Sequence, residues 1–255
     1  MKNLFFLFLL VLGSTTLLNA QDYYLPISSK SETAKATYAR ALALGENADI
    51  QAYVKEMRKA VQEDSTLFAG YAHLSMMHIA FKQYAEAKVF ITKALAIAPG
   101  GFTPAEQILR KLMVQWQQDP KTDPTKIMDE LIAAYPNTWQ AYDLASSCAM
   151  WIKGDDQAAL PHLQNMVRLR PDHGSAYNAL GYYYMKVGQM DKAKEAFENY
   201  LRVAPKEANA YDSMGEYYMT IKDYAKSAEF YDKAAAMGMT DSKARADKAR
   251  SMIKK

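Results

Sequence analysis

Large apolar and small residues recur along this chain at a fixed spacing. With Gly174 counted as position 1, Tyr177 falls at 4, Leu180 at 7, Gly181 at 8, Tyr184 at 11, Ala193 at 20, Phe197 at 24 and Pro205 at 32. Residues 208–241 repeat the pattern with Tyr211, Met214, Gly215, Tyr218, Ser227, Tyr231 and Ala234, although Met239 replaces the Pro. Residues 68–101 repeat it again with Tyr71, Leu74, Ser75, Ala87, Ile91, Ala94 at position 27, and Pro99. Each unit reads as two antiparallel helices. Small residues at positions 8, 20 and 27 let the two approach closely, and the large residues at 4, 7, 11 and 24 fill the space between them.

Three further stretches complete the array with less regular spacing. Residues 139–173 fit with Tyr142 at 4, Ala145 at 7 and Ser146 at 8 if one extra residue sits in the Lys153-Gly154-Asp155-Asp156 turn, with Pro171 closing the unit. Residues 102–138 form a longer, divergent unit with helices near 104–117 and 124–134. Residues 34–67 keep Ala41, Leu44, Met57 and Ala60 in place but put Tyr53 where a small residue belongs. Tyr200 is a similar departure at position 27 of the unit 174–207, and it predicts a swollen contact between neighbouring units. Pro161 predicts a second helix that starts late or bends, because its ring removes a backbone bond. One helix pair cannot bury its apolar surface alone, so the units must stack into a continuous core with capped ends. Ser29 and Glu32 give a capping-box spacing before the first helix. After Gly238, Asp241 is placed to cap a charged closing helix in 242–255, whose Ala246, Ala249 and Ile253 make a thin apolar stripe.

The pattern closely resembles that of the tetratricopeptide-repeat family: an aromatic at 4, Leu-Gly at 7 and 8, an aromatic at 11, small residues at 20 and 27, an aromatic at 24, Pro at 32. The resemblance implies an all-α fold, a right-handed superhelical solenoid of stacked antiparallel helix pairs. Six units are expected, at 34–67, 68–101, 102–138, 139–173, 174–207 and 208–241. In this family the first helix of each unit lines a concave groove, largely through positions 2, 5, 9, 12 and 13. Carried over to the last three units, position 5 holds Asp143, Asn178 and Asp212, and position 9 holds Ser147, Tyr182 and Glu216. Position 12 holds Met150, Met185 and Met219, and position 13 holds Trp151 and Lys186 in the first two. This is a candidate ladder for an extended peptide. Asp143, Asn178 and Asp212 would bond its backbone, and Tyr182, Glu216, Trp151 and the three Met side chains would grip what projects from it. The competing reading of the same residues is a solvated polar face with gap-filling Met and aromatic packing. In the unit 68–101 the groove positions read Ala69, Ala72, Met76, Ile79 and Ala80, an apolar strip expected to meet another protein face.

Composition adds location and exclusions. Lys2 followed by the apolar run 4–12, too short to span a bilayer, and a small-residue stretch ending at Ala20 reads as a secretory signal over residues 1–20; the competing reading is an uncleaved amphipathic or membrane anchor, with Leu17 and Leu18 extending the apolar stretch. Residues 21–33 then form a linker and helix start. The periplasm is the expected destination, with the extracellular space as an alternative. Removing Lys2 leaves 30 basic against 28 acidic residues, so no field for nucleic acid arises. The groove positions of the last three units are acidic, neutral or apolar apart from Lys186, so an uncharged or basic protein segment is the expected partner. Cys148 is the only cysteine, which excludes an internal disulfide and points to a core thiol. His73 and His78 are five residues apart, on different helical faces, and with His162 and His173 they give no metal-ligand spacing. No GxSxG, GxxxxGK[ST], HExxH or CxxC occurs. Neither cofactor nor metal is expected, and the chain reads as a scaffold rather than an enzyme. An oligomerising module whose groove is filled by a neighbouring copy is the alternative, and a hydrolase or transferase accessory with an unrecognised site a further one; a membrane is expected to be met only through assembly partners.

Overall fold

The computed structural model describes residues 23–46 and 49–253. The expected signal at 1–20 lies outside them. The described residues contain thirteen α-helices and no strand. Six antiparallel pairs follow one another: α1 (Glu32–Glu46) with α2 (Ile50–Glu63), α3 (Phe68–Ala80) with α4 (Tyr84–Ala96), and α5 (Pro104–Gln118) with α6 (Thr125–Ala134). Then come α7 (Trp139–Ser147) with α8 (Asp156–Leu169), α9 (Gly174–Lys186) with α10 (Met190–Val203), and α11 (Ala208–Thr220) with α12 (Tyr224–Ala236). A closing helix, α13 (Asp241–Ile253), packs on α12. The molecule is an all-α repeat solenoid. No helix among the described residues is long and apolar enough to cross a membrane.

The small residues at position 8 do what the pattern requires of them. A Cβ on Gly181 would stand 2.4 Å from the Phe197 ring, and one on Gly215 2.7 Å from Tyr231, so the helices of each pair touch backbone to ring. Tyr200 does not swell the contact between units. It is fully buried against Gly174, where a Cβ would lie 2.3 Å from its ring, so the missing side chain of one residue makes room for the large one. Its hydroxyl donates to Glu207 Oε2 at 2.8 Å and accepts from Asn209 Nδ2 at 3.2 Å. Tyr53 is accommodated in the same way over Gly45.

Three local expectations are corrected. The first helix is capped by Ser31, whose Oγ accepts from Ala34 N at 3.2 Å, because Ser29 is held elsewhere: its Oγ donates to Asp64 Oδ2 at 2.6 Å. The second helix of the fourth unit does not start late. Asp155 accepts from Ala158 N, α8 opens at Asp156, and Pro161 is taken into its second turn. Nor is the extra residue of that unit in the turn after the helix. The turn residue with left-handed backbone sits at position 15 in three units, Lys82 (φ 59), Gly188 (φ 77) and Lys222 (φ 65). In the fourth it is Gly154 (φ 73), one place later, and the surplus is absorbed just before it as a π-helical turn, Cys148–Lys153.

The core divides unequally. One continuous cluster of buried apolar side chains runs from Leu25 through the first three units to Leu144, Ala145 and Cys148. Beyond it lie smaller groups, around Trp139, Leu163 and Tyr183, around Phe197, Met214 and Tyr217, and around Tyr200, Ala204 and Ala210. On α13, Ala246 and Ala249 are fully buried, whereas Ile253 is exposed and takes no part in the stripe.

Candidate functional site

The expected ladder is not one continuous surface. Asp143 faces α1: Glu46 at the end of that helix and Arg170 beyond α8 are its charged neighbours. Burial, with the negative charge of Glu46 added, pushes the Asp143 carboxyl up to about 7, against a smaller pull from Arg170. Asp212 is only 2 % exposed and already engaged. Ser242 Oγ donates to its Oδ1 at 2.6 Å and Arg245 pairs with its Oδ2, so the carboxylate ties α11 to the closing helix. Asn178, between them in sequence, is half-buried, and its Oδ1 has no hydrogen-bond partner.

Around Asn178 the remaining candidates split into two groups. Tyr182 stands edge-on to Phe197, 5.3 Å between ring centres, and its hydroxyl donates to Glu216 Oε2 at 2.9 Å, with Ser213 Oγ at 3.3 Å. Burial, reinforced by Glu216, raises the Tyr182 hydroxyl above its ordinary value and keeps it a donor. Met185 and Met219 are half-buried on the same two helices, α9 and α11. Met150 and Trp151 lie in the π-helical turn, which advances the register within the helix, so they do not share the phase of Met185 and Lys186. Trp151 is 63 % exposed. Lys186 reaches Asp156 Oδ2 at 2.6 Å.

The apolar strip of α3 meets a face of its own chain. Ala69, Ala72, Met76 and Ile79 are all buried within the continuous core, in which α3 packs against α4, α5 and the π-helical turn after α7. Tyr38 of α1 lies edge-on to His73 of α3 at 5.6 Å, and Gln140 of α7 reaches both, Nε2 to His73 Nε2 at 3.2 Å and to Tyr38 Oη at 3.4 Å. Burial lowers the His73 imidazole to about 4, so it is neutral. It accepts at Nε2 and turns Nδ1 to the Tyr53 hydroxyl at 3.2 Å.

A second polar cluster locks the end of α1 to the turn that closes the fourth unit. Glu46 accepts from Tyr24 Oη at 2.7 Å through Oε1, and its Oε2 lies 2.6 Å from His173 Nε2 and 3.3 Å from Arg170. Burial pushes the Glu46 carboxyl up, but His173, Tyr24 and Arg170 together hold it below the usual value. The Arg170 guanidinium lies over the rings of both Tyr23 and Trp139, at 4.7 and 5.1 Å. Across these two clusters Gln140, Tyr38 and Glu46 carry a signal in the sequence, since they occupy groove positions 2, 5 and 13 of their units. The residues around Glu46 carry none, because their contacts run between units far apart in the chain. Among the described residues no group of three or more His, Cys, Asp or Glu is arranged to hold a metal ion. Burial raises the Cys148 thiol, which keeps it protonated.

Comparisons with known proteins agree with this geometry. Tetratricopeptide-repeat family models match residues 69–100 and 151–216. The structure of a thermophilic TPR protein of Thermus thermophilus superposes with a TM-score of 0.52 at 18 % identity, covering 71 % of this chain and 98 % of that one. YrrB, described as a TPR protein with an unusual peptide-binding site, gives 0.48 at 18 % identity over 75 % and 97 % of the two chains. PilW, described as a widely conserved type IV pilus biogenesis factor, gives 0.48 at 15 % over 81 % and 94 %. No curated protein sequence matches the chain. The 34-residue spacing, the helix pairs that follow it and the two family matches show that this chain carries tetratricopeptide repeats, at residues 69–100 and 151–216, within an all-α repeat solenoid.

Proposed function

We propose that this protein is a non-catalytic interaction scaffold of the cell envelope that holds an uncharged or basic protein segment on the inner face of α9 and α11. The observation that carries this reading is the half-buried Asn178 side chain, whose oxygen lacks a hydrogen-bond partner within the chain while the Asp212 carboxylate on α11 is tied to α13. With the Glu216 carboxylate on α11, this face offers acceptors once the Asn178 amide turns out of its enclosed position, the complement of peptide N–H groups or of a Lys or Arg side chain. Met185 and Met219 supply adaptable apolar contact. The periplasm is the location this reading favours, with export directed by residues 1–20.

The test uses Asn178→Ala, Tyr182→Ala and Glu216→Ala together and leaves Asp212 intact, because Asp212 holds α13 in place. The expected result is unchanged helicity by circular dichroism and loss of the partner crosslinked in the native envelope by a photoreactive group at Met219. Crosslinking at the wild-type level would remove the proposal. N-terminal sequencing of the mature protein checks the location, with Gln21 the expected first residue. Trp151 favours a second reading, an oligomerising module, since an indole 63 % exposed is costly to leave in water. Mass in dilute solution, with Trp151→Ala beside the wild type, separates the two.

A further inference from the structure

Residues 23–31 enter the structure without helix or strand and run past the N-terminal ends of α5 and α7 before α1 begins. Their backbone is bonded at four points. Gln140 N donates to the Tyr23 carbonyl at 3.0 Å, and Leu25 N donates to Gln140 Oε1 at 2.7 Å. Thr103 Oγ1 donates to the Pro26 carbonyl at 2.9 Å, and Ser28 N donates to Glu106 Oε1 at 3.1 Å. Leu25 itself is 7 % exposed and belongs to the core, while Tyr23 lies against the Arg170 guanidinium.

The side chains that make these bonds are held by the array, each through one polar atom, and present another to the segment. Glu106 closes the capping box of α5 by accepting from Thr103 N through Oε2 at 2.9 Å, which leaves Oε1 for Ser28. Thr103 Oγ1 accepts from Glu106 N and has its own proton left for Pro26. Gln140 engages His73 and Tyr38 through Nε2 and has Oε1 left for Leu25. Arg170 is fixed by Glu46 and Trp139 and shows its remaining face to Tyr23. The binding groups are therefore arranged before the segment arrives, which is what low-cost capture of an extended chain requires.

We propose that this cleft, between the N-terminal ends of α5 and α7 and the α8–α9 turn, is a peptide-binding site that the chain occupies with its own residues 23–28. In trans it takes an extended, uncharged segment that carries an aromatic residue two places before a Leu-Pro pair. The four bonds are to backbone and fix direction and register. Selectivity comes from the buried Leu25 side chain, from the ring stacked on Arg170, and from residue 26, where only a carbonyl is bonded and Pro is accepted. The site is separate from the α9–α11 face, so either can fail without the other. Tethering gives the internal segment an effective concentration in the millimolar range, so a competing peptide is excluded until the tether is opened.

The test opens the tether without changing the cleft. A site-specific protease sequence inserted between Ser29 and Lys30 leaves the Ser31 cap of α1 in place, and a fluorescent peptide copying residues 21–29 is titrated by anisotropy into cut and uncut protein. Binding to the cut protein is expected to be saturable and roughly 100-fold tighter than to the uncut form. Within the cut protein, Gln140→Ala, and Leu25→Asp in the peptide, should each weaken it at least about tenfold, in line with one lost buried contact. Equal binding to cut and uncut forms would overturn the proposal, as would indifference to both changes. Loss of helicity on release of the segment would also overturn it, by showing the segment to be a structural member. If the Gln140 variant does not fold, the peptide variant alone decides.

Discussion

The inner faces of α3 and α9 occupy the same positions of the same repeat and have opposite fates. On α3 they are Ala69, Ala72, Met76 and Ile79, buried in the core shared with α1, α5 and α7. On α9 they are Ser175, Asn178, Tyr182, Met185 and Lys186, half-buried or exposed. The helix pairs themselves are alike, Ser75 and Gly181 filling the same place at position 8, both buried. Pairing is thus set by one group of positions and closure of the groove by another. An apolar inner face draws the first units together into one core, and a polar one leaves the later units stacked side by side.

The most severe way to break this comparison is to make the two faces alike. Ala72→Asp puts an unpaired carboxylate at a fully buried position of α3 and is expected to cost about 4 kcal/mol or more in urea unfolding. A smaller effect is expected at Asp143. Its folded value of about 7 lies above its ordinary 3.8, so its contribution is fully present below pH 3.8 and is lost as pH rises through 7. Asp143→Asn should therefore stabilise the protein by about 2–4 kcal/mol at pH 8 and change little at pH 4. His73 runs the other way. Its value falls from 6.5 to about 4, so its contribution is present above 6.5 and is lost as pH falls toward 4. The two slopes oppose each other in the wild type. In Asp143→Asn, stability should rise between pH 4 and 6.5, which unfolding curves at three pH values would show.

Gly181→Ala should cost about 1–3 kcal/mol, since its Cβ would stand 2.4 Å from the Phe197 ring and the ring must move. Hydrogen exchange should show the loss concentrated in α9–α13, with α3–α7 still protected, because stability in a repeat array is local where the core is divided. Equal loss of protection in both regions would contradict the contrast between them. The smallest effect is expected at Asn178→Ala, within about 0.5 kcal/mol by thermal unfolding, since the enclosed oxygen of this half-buried side chain has no partner to lose.

The helix pairs are legible in the sequence because their determinants are local and periodic. Gly181 with Phe197 and Gly215 with Tyr231 meet across a single turn, and their spacing repeats. What escapes the sequence is long-range. Leu25 and Gln140 are 115 residues apart, Glu46 and Arg170 124, and nothing in a repeat pattern brings either pair together. Asp212 belongs to the expected ladder by position alone, while the residue that neutralises it, Arg245, lies on a helix outside the repeats. Tyr200 looks a misfit in sequence because its partner Gly174 is 26 positions away in the first helix of the same unit, not in the next one.

The π-helical turn at Cys148–Lys153 gives the array two reading frames. A residue inserted into a loop leaves the orientation of every helix position unchanged, whereas one absorbed inside a helix turns each later side chain of that helix by about 100° against its counterparts in other units. A cassette cut from the fifth or sixth unit and grafted over the fourth would therefore present its inner residues out of phase with the neighbours it must meet. Deleting a single residue from this turn would put Gly154 back at position 15, and the fourth unit would become interchangeable with the others while losing the orientation its inner residues now hold.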